Sequence, residues 1–491
     1  MKAALFLLAL MCTEATGQLY TSGPKLVSES GKHVPLKCVN WYGAHQELFV
    51  VGGIEQRRPS AIVNEIVSMG SNCVRLVFSI DLWKKNPPPP ALLKTSECAK
   101  NQTSMDIFDC VVEKLTDAGI MVILNNHNSF PGWIGLIDVQ QGLWNLPGYS
   151  VYTWLDCLEH MSARYKNNPL VIGMDIRNEI HDQDGVYITW GKSNDITTDW
   201  KAAASIASDR IEKVNPNMLV VVSGLCYGYD FADMMLDIGP SSAFARKKLV
   251  YTSHVYTSAF WWTHIEWGWV WVFAVLFFLF GAILSARQYL KLGNVNWILY
   301  TIASAWPFAI AWIVAFAIYY FVFASIGCNA YAKTMLPIIY FMVGLIGVSI
   351  VACVMLEVFT DTDSERTWCF VVGIWCCIHA LVLVAIAIVS QTQWMIELEL
   401  SKWDEQPVPL WVGEFGAMWN NDSPVWNQLV AFILHRDLDF AYWPLNGLKW
   451  SQDLHEYTDE SFGLLTQNYN AIRNPKLVST LFAHTTAQEL K

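Results

Sequence analysis

Two stretches of the chain place carboxylates just after short apolar runs. One is Asp175-Ile176-Arg177-Asn178-Glu179 and the other is Trp411-Val412-Gly413-Glu414-Phe415-Gly416. Two carboxyl groups flanking one bond can cleave a glycosidic linkage. In the retaining version they stand about 5–5.5 Å apart, one acting as acid and then base and the other as nucleophile. A single Glu at the end of an apolar run says little, because a salt-bridged structural carboxylate looks the same. Two in these contexts are far more specific, provided that the fold brings them together.

The elements that would position them alternate along the chain. Short apolar, β-branched runs occur at 36–42, 73–78, 119–124, 170–176, 218–222, 248–252, 409–412 and 439–443. Buried parallel strands have this continuous apolar character. Amphipathic helical segments lie between them, among them 59–69, 104–118, 150–166 and 199–214. Eight strands, each followed by a helix, predict an α/β fold, the (β/α)8 TIM barrel. A doubly wound sheet shares the alternation, but no Gly-rich phosphate loop follows the first strand. The two carboxylates would stand at the carboxyl ends of strands four and seven, the face on which such barrels carry their sites.

The alternation is interrupted. Four charge-free apolar stretches, 267–286, 297–326, 336–356 and 368–390, stand together. Each is long enough to cross the hydrocarbon core as a helix. The second could also form two short helices around Pro307, but flanks belonging to one domain need an even number of crossings, which favours four. The insert starts shortly after the sixth strand and ends before a helical stretch at 391–405, which tethers the membrane near the mouth of the barrel. Trp261, Trp262 and Trp267 sit where an interfacial aromatic belt forms. His379 is the lone ionisable group inside the spans and reads as a neutral partner of a neighbouring helix. The block therefore reads as an anchor. The expected organisation is a signal peptide at 1–17, strands one to six at 18–258, a transmembrane insert of about four helices at 259–392, and strands seven and eight at 393–491.

The amino end supports a lumenal or extracellular start. Lys2, an apolar run at 3–11 and the small residues ending Ala15-Thr16-Gly17 have the layout of a secretory signal, with cleavage near Gly17. Arg287 and Lys291 in the first short loop agree with a cytoplasmic side there. Of 12 cysteines, six (Cys38, Cys73, Cys98, Cys110, Cys157 and Cys226) lie in water-soluble sequence, an even number that permits disulfides. Cys98–Cys110 is the favoured pair, closing a short loop beside the sequon Asn101-Gln102-Thr103. No His/Cys cluster there has zinc-ligand spacing, so no metal is expected. The composition, 53% hydrophobic and 15% charged, excludes a disordered chain. A net charge of −11 gives no footprint for nucleic acid.

With these residues placed, the sequence resembles glycoside hydrolase family 5, the cellulase-like barrels, and is similar above all to their plant cellulase-like branch at 123–133 and 173–179. The resemblance implies Glu179 as acid/base, preceded by Asn178, and Glu414 as nucleophile. It further implies supporting roles for Arg75 in Cys73-Val74-Arg75-Leu76, His127 in Asn126-His127-Asn128, His254 and Tyr256 after strand six, and Trp443 in Tyr442-Trp443-Pro444. Arg75 and Tyr256 would hold the oxygens of Glu414 and keep its pKa low, Asn178 would bond the sugar 2-hydroxyl, and Trp443 would floor a sugar ring. One departure is Asn125, which stands where many members have Asp. The membrane insert has no counterpart in the common pattern.

The expected activity is that of a membrane-anchored retaining β-glycosidase, cellulase-like and endo-acting on β-1,4-glucans, without a cofactor. Its partners would be a β-linked glycan or glycolipid and the lipid bilayer, with the barrel outside the cell or in the secretory lumen. A β-glucosidase for membrane glycolipids is the alternative substrate class. A non-catalytic glycan receptor and a transporter with an accessory barrel are the alternative functions. Trp41, Trp133, Trp144, Trp419 and Trp450 could supply further sugar subsites or simple packing.

Overall fold

The computed structural model describes residues 18–256 and 406–482, apart from 92, 94–96, 99–102 and 134–140. The chain divides into two units, residues 1–259 with 397–491, and residues 260–396. The second unit lies outside the described residues, as do the expected signal peptide at 1–17, Asn101, the expected membrane insert at 259–392 and the helix expected at 391–405. Among the described residues no helix is long and apolar enough to cross a membrane.

Eight strands form a closed barrel: β1 (Lys37–Ala44), β2 (Cys73–Ser79), β3 (Met121–Asn128), β4 (Val171–Asp175), β5 (Leu219–Ser223), β6 (Leu249–Val255), β7 (Leu410–Phe415) and β8 (Asp439–Tyr442). Every neighbouring pair is parallel, and β8 closes on β1. Each strand coincides with one of the eight expected apolar runs to within a few residues. Strands four and seven are three steps apart around the ring rather than directly opposite.

The helices begin where the sequence supplies caps. Thr103 and Asp106 form a capping box at the start of Ser104–Asp117. Ser150 accepts from the Thr153 amide at Val151–Arg164, and Asp199 accepts from Ala202 at Trp200–Val214. The helix Pro59–Met69 starts on its proline and stops at Gly70, whose φ of 86° needs no Cβ. Its buried stripe, Ile62, Val63, Ile66 and Met69, follows the helical period.

Inside the barrel, side chains two residues apart stack in layers. The lower part of the interior is apolar and contains Cys38, Cys73, Met121, Ile123, Ile172, Leu219, Val221, Val250, Trp411 and Ala441. A hairpin of Tyr20–Ser22 and Lys25–Val27 seals it from below with Leu19, Leu26 and Leu36. Two residues up the same strands come Asn40, Arg75, Asn125 and Thr252, all fully buried. The polar layer rests on an apolar floor that excludes water.

Cys38 and Cys73 face each other across β1 and β2 and are joined by a disulfide. The expected Cys98–Cys110 bridge is present. Cys226 is also disulfide-bonded, whereas Cys157 is a buried free thiol.

Candidate active site

The carboxyl end of β7 departs from plain alternation. Trp411 points into the core, so strict alternation would turn Gly413 inward and Glu414 outward. Pairing shifts by one residue against both neighbours: Ser253 opposes Val412 but His254 opposes Glu414, and Phe440 opposes Val412 but Tyr442 opposes Phe415. This β-bulge turns Glu414 into the barrel mouth. Gly413 fits there because a Cβ would lie 2.2 Å from Thr252 Oγ1 on β6.

Glu414 is almost fully buried and meets two donors, with a third polar group close by. It pairs with Arg75 Nη1, accepts from Tyr256 Oη at 2.8 Å, and lies 3.6 Å from His254 Nδ1. Glu179 follows β4, with its side chain 17% exposed, and is bonded to His254 Nδ1 at 2.8 Å. The ligating atoms of Glu179, His254 and Glu414 lie within 4.8 Å of one another. Among the described residues this is the one trio spaced to hold a metal ion. A cation there would face the Arg75 guanidinium across Glu414, so the donor set fits a proton-transfer site better than a metal site.

Arg75 organises the floor. Its Nε donates to Asp175 Oδ2 at 2.9 Å and its Nη1 to Asn40 Oδ1 at 3.0 Å. Its Nη2 donates to Asn178 Oδ1 at 2.6 Å. With the Asn178 carbonyl held by Arg75, its amide NH2 is turned toward His127 Nε2, 3.5 Å away. His127 Nδ1 bonds Asn125 Oδ1 at 2.9 Å, and Asn125 Nδ2 donates to Asp175 Oδ2, also at 2.9 Å. The departure at Asn125 therefore has a physical reason. This side chain donates to a buried carboxylate while turning its carbonyl to His127, and an ionised Asp cannot do both.

Burial dominates the protonation of the site. It pushes the Glu179 carboxyl up to about 7, against the pull of Arg75. Glu414 is also raised by burial, an effect that outweighs His254 and Arg75; the expectation of a lowered pKa is thereby corrected. Of the two, Glu414 holds the ion pair and the Tyr256 hydroxyl, so a single negative charge shared between them resides on Glu414. His254 is lowered to about 4 by burial and stays neutral.

Aromatic rings line one flank. Trp443 stacks on Tyr42 at 5.2 Å and on His127 at 5.6 Å. His45 and Trp133 extend this wall, with ring centroids 5.2 Å apart. Trp41 and Trp144 do not join it: both are buried, and their indole N–H groups donate to the Gly52 and Ile196 carbonyls. Trp450 lies on a hairpin past β8 and donates to Glu47, and Trp419 is 39% exposed. The sequence reasoning missed Asn40, Tyr42, His45 and the role of Asp175. Asn40 carried a signal, a lone amide set between Val39 and Trp41 inside a strand-length run.

All eight residues named from the sequence thus gather at one end of the barrel. Residues 27–268 match the model of the family described as cellulase (glycosyl hydrolase family 5). The chain is 33% identical over 214 residues to an endoglucanase of Paenibacillus polymyxa, covering 43% of this chain and 50% of that protein. It is 31% identical over 272 residues to a glycosyl hydrolase 5 family protein of Chamaecyparis obtusa, covering 52% and 47%. The chain spans about half the length of the curated relatives it matches. The fold is similar to the catalytic domain of the major endoglucanase from Xanthomonas campestris pv. campestris, with a TM-score of 0.58 and 20% identity over 95% of this chain and 99% of that one.

Proposed function

We propose that this chain, a glycoside hydrolase with a barrel of family 5, is an endo-acting β-1,4-glucanase that works by double displacement. The observation that carries the reading is the spacing of Glu179 and Glu414, whose nearest oxygens lie within 4.8 Å. That leaves no room for a water between carboxylate and sugar, as inversion requires, and suits a carboxylate that attacks directly. Ionised Glu414 attacks the anomeric carbon as protonated Glu179 gives its proton to the departing glycosidic oxygen. The glycosyl–Glu414 ester is then opened by water, whose proton returns to Glu179. Asn178 is oriented to bond the sugar 2-hydroxyl, and Trp443 receives the apolar face of the ring. The two carboxyls and one water supply the whole reaction.

Two measurements test this. Hydrolysis of cellotetraose followed by NMR should first release the β-anomer; first release of the α-anomer would overturn double displacement. Glu414→Gln should lower turnover by on the order of 10⁴-fold and Glu179→Gln by roughly 10²–10⁴-fold, both keeping the wild-type circular dichroism. Wild type and Glu414→Gln that bind glucan equally, with neither turning it over, would favour a receptor.

The four apolar stretches within 259–392, entered just after Tyr256, support a second proposal. They anchor the enzyme as a multi-pass protein of the plasma membrane or secretory pathway, with the barrel outside or in the lumen. The enzyme should then stay with membranes through carbonate extraction. The same insertion point favours glycolipids such as glucosylceramide or steryl glucoside as the alternative substrate. Hydrolysis confined to glycolipids, with soluble β-glucans untouched, would replace the glucanase reading.

A further inference from the structure

We infer that His181 is a positioning residue that clamps the strained backbone of Glu179 and thereby aims the proton-donating carboxyl. This rests on the proposed role of Glu179 as acid/base. Glu179 has a φ of 42°, in the left-handed region that a residue with a Cβ occupies only when its surroundings impose it. The surroundings here are specific. His181 Nδ1 is bonded to the Glu179 carbonyl at 2.7 Å. A carbonyl can only accept, so that ring nitrogen carries the hydrogen.

The imidazole is itself held on both sides. Tyr227 stacks on it at 3.9 Å between centroids and 11° between planes. On another side Gly142 approaches so closely that a Cβ there would lie 2.5 Å from His181 Nε2. The backbone is pinned at the same places: the His181 amide donates to Gly142, the Tyr227 amide to Ile180 and the Asn178 amide to Asn126. Tyr227 and its neighbour Cys226 are left-handed as well, with φ of 59° and 53°. The segments around Gly142 and Tyr227 thus converge on the His181 ring, which in turn meets the Glu179 carbonyl. His181 is only 5% exposed, which suits a support rather than a sugar contact. Burial lowers its pKa to about 4, so the ring stays neutral near neutral pH. Without the clamp the backbone at Glu179 can relax, and a displacement of about 1 Å in a reacting group can cost about 10²-fold in rate.

The test separates the hydrogen bond from the packing in the full-length protein. His181→Phe keeps a ring against Tyr227 but has no donor, whereas His181→Asn offers an amide N–H from the same position without the ring. On cellotetraose, whose leaving group needs protonation, His181→Phe should lower kcat about 10- to 100-fold with KM little changed. His181→Asn should recover most of that loss. On dinitrophenyl β-cellobioside, whose leaving group departs without a proton, His181→Phe should glycosylate Glu414 at nearly the wild-type rate. Wild-type kcat for His181→Phe on cellotetraose, or equal losses on both substrates, would overturn the clamp. Should His181→Phe fail to fold, His181→Asn and His181→Ala decide: Asn well above Ala supports the clamp, and equal losses overturn it. A wild-type enzyme that cleaves neither substrate defeats the underlying acid/base reading instead.

Discussion

At the residue scale, the site is built around charge held in a dry place. Arg75 reaches Glu414, Asp175, Asn40 and Asn178, so its guanidinium offsets two carboxylates while fixing two amides. Glu179 lacks such a partner, and burial raises it to about 7. In the proposed mechanism Glu179 must be protonated, so turnover of cellotetraose should fall about tenfold per pH unit once the pH rises well above 7. A pH–rate profile checks this, and a basic limb unchanged in Glu179→Gln would assign it to another group. Asn125 makes a second prediction. In Asn125→Asp a new carboxyl would meet Asp175 at hydrogen-bond distance, and two such groups cannot both ionise. The native state then binds a proton that the unfolded chain has released, so stability is lost as pH rises above the ordinary carboxyl range. The variant should melt near the wild-type temperature at about pH 4 and increasingly below it toward pH 8. Parallel melting curves across that range would remove the amide bridge as an explanation.

At the scale of elements, one extra residue in β7 decides where Glu414 points. Gly413 makes that bulge possible because Thr252 of the adjacent strand fills the space a side chain would take. Gly413→Ala should therefore cost about 1–3 kcal/mol of stability by overpacking and lower activity by displacing Glu414. Thr252→Ala in the same chain should return part of both, since the Thr252 hydroxyl is buried without a hydrogen-bond partner in any case. Urea unfolding and cellotetraose turnover of the two single variants and the double variant form the cycle. Simple additivity would show that the two side chains do not compete for that space.

At the scale of the whole molecule, the barrel is stapled at its base and carries its paired carboxylates at its mouth. The Cys38–Cys73 bridge joins the first two strands across 35 residues of chain. In the loop-entropy account, removing it should cost about 4 kcal/mol, against about 3 kcal/mol for Cys98–Cys110 with its separation of 12. Melting of the Cys38→Ala/Cys73→Ala and Cys98→Ala/Cys110→Ala pairs measures the order. Because the first bridge lies in the apolar floor, its loss should lower the melting temperature while leaving KM for cellotetraose in place. A raised KM would mean that the floor also sets the shape of the mouth.

Much of this architecture was legible in the amino-acid order. Apolar runs of strand length, amphipathic helical segments between them and carboxylates at the ends of the fourth and seventh runs are local features, written in neighbouring residues whose periods of two and 3.6 follow from backbone geometry. Family resemblance then picked out Arg75, His127, His254, Tyr256 and Trp443. What only the tertiary structure decided was how residues distant along the chain meet. The bulge that turns Glu414 inward depends on pairing with both adjacent strands, against what alternation along β7 alone implies. The Asn125 bridge joins side chains 50 residues apart, and the Arg75–Glu414 pair joins side chains 339 apart. The upward push on Glu414 comes from burial, which no spacing records, and it overrode the donors that the sequence had set beside it. Trp41 and Trp144, open to either role in the sequence, are packing because their indoles found backbone partners inside the fold. Strand order is a property of local periodicity, whereas protonation and aim arise from through-space contact and the exclusion of water, which exist only once the barrel has closed.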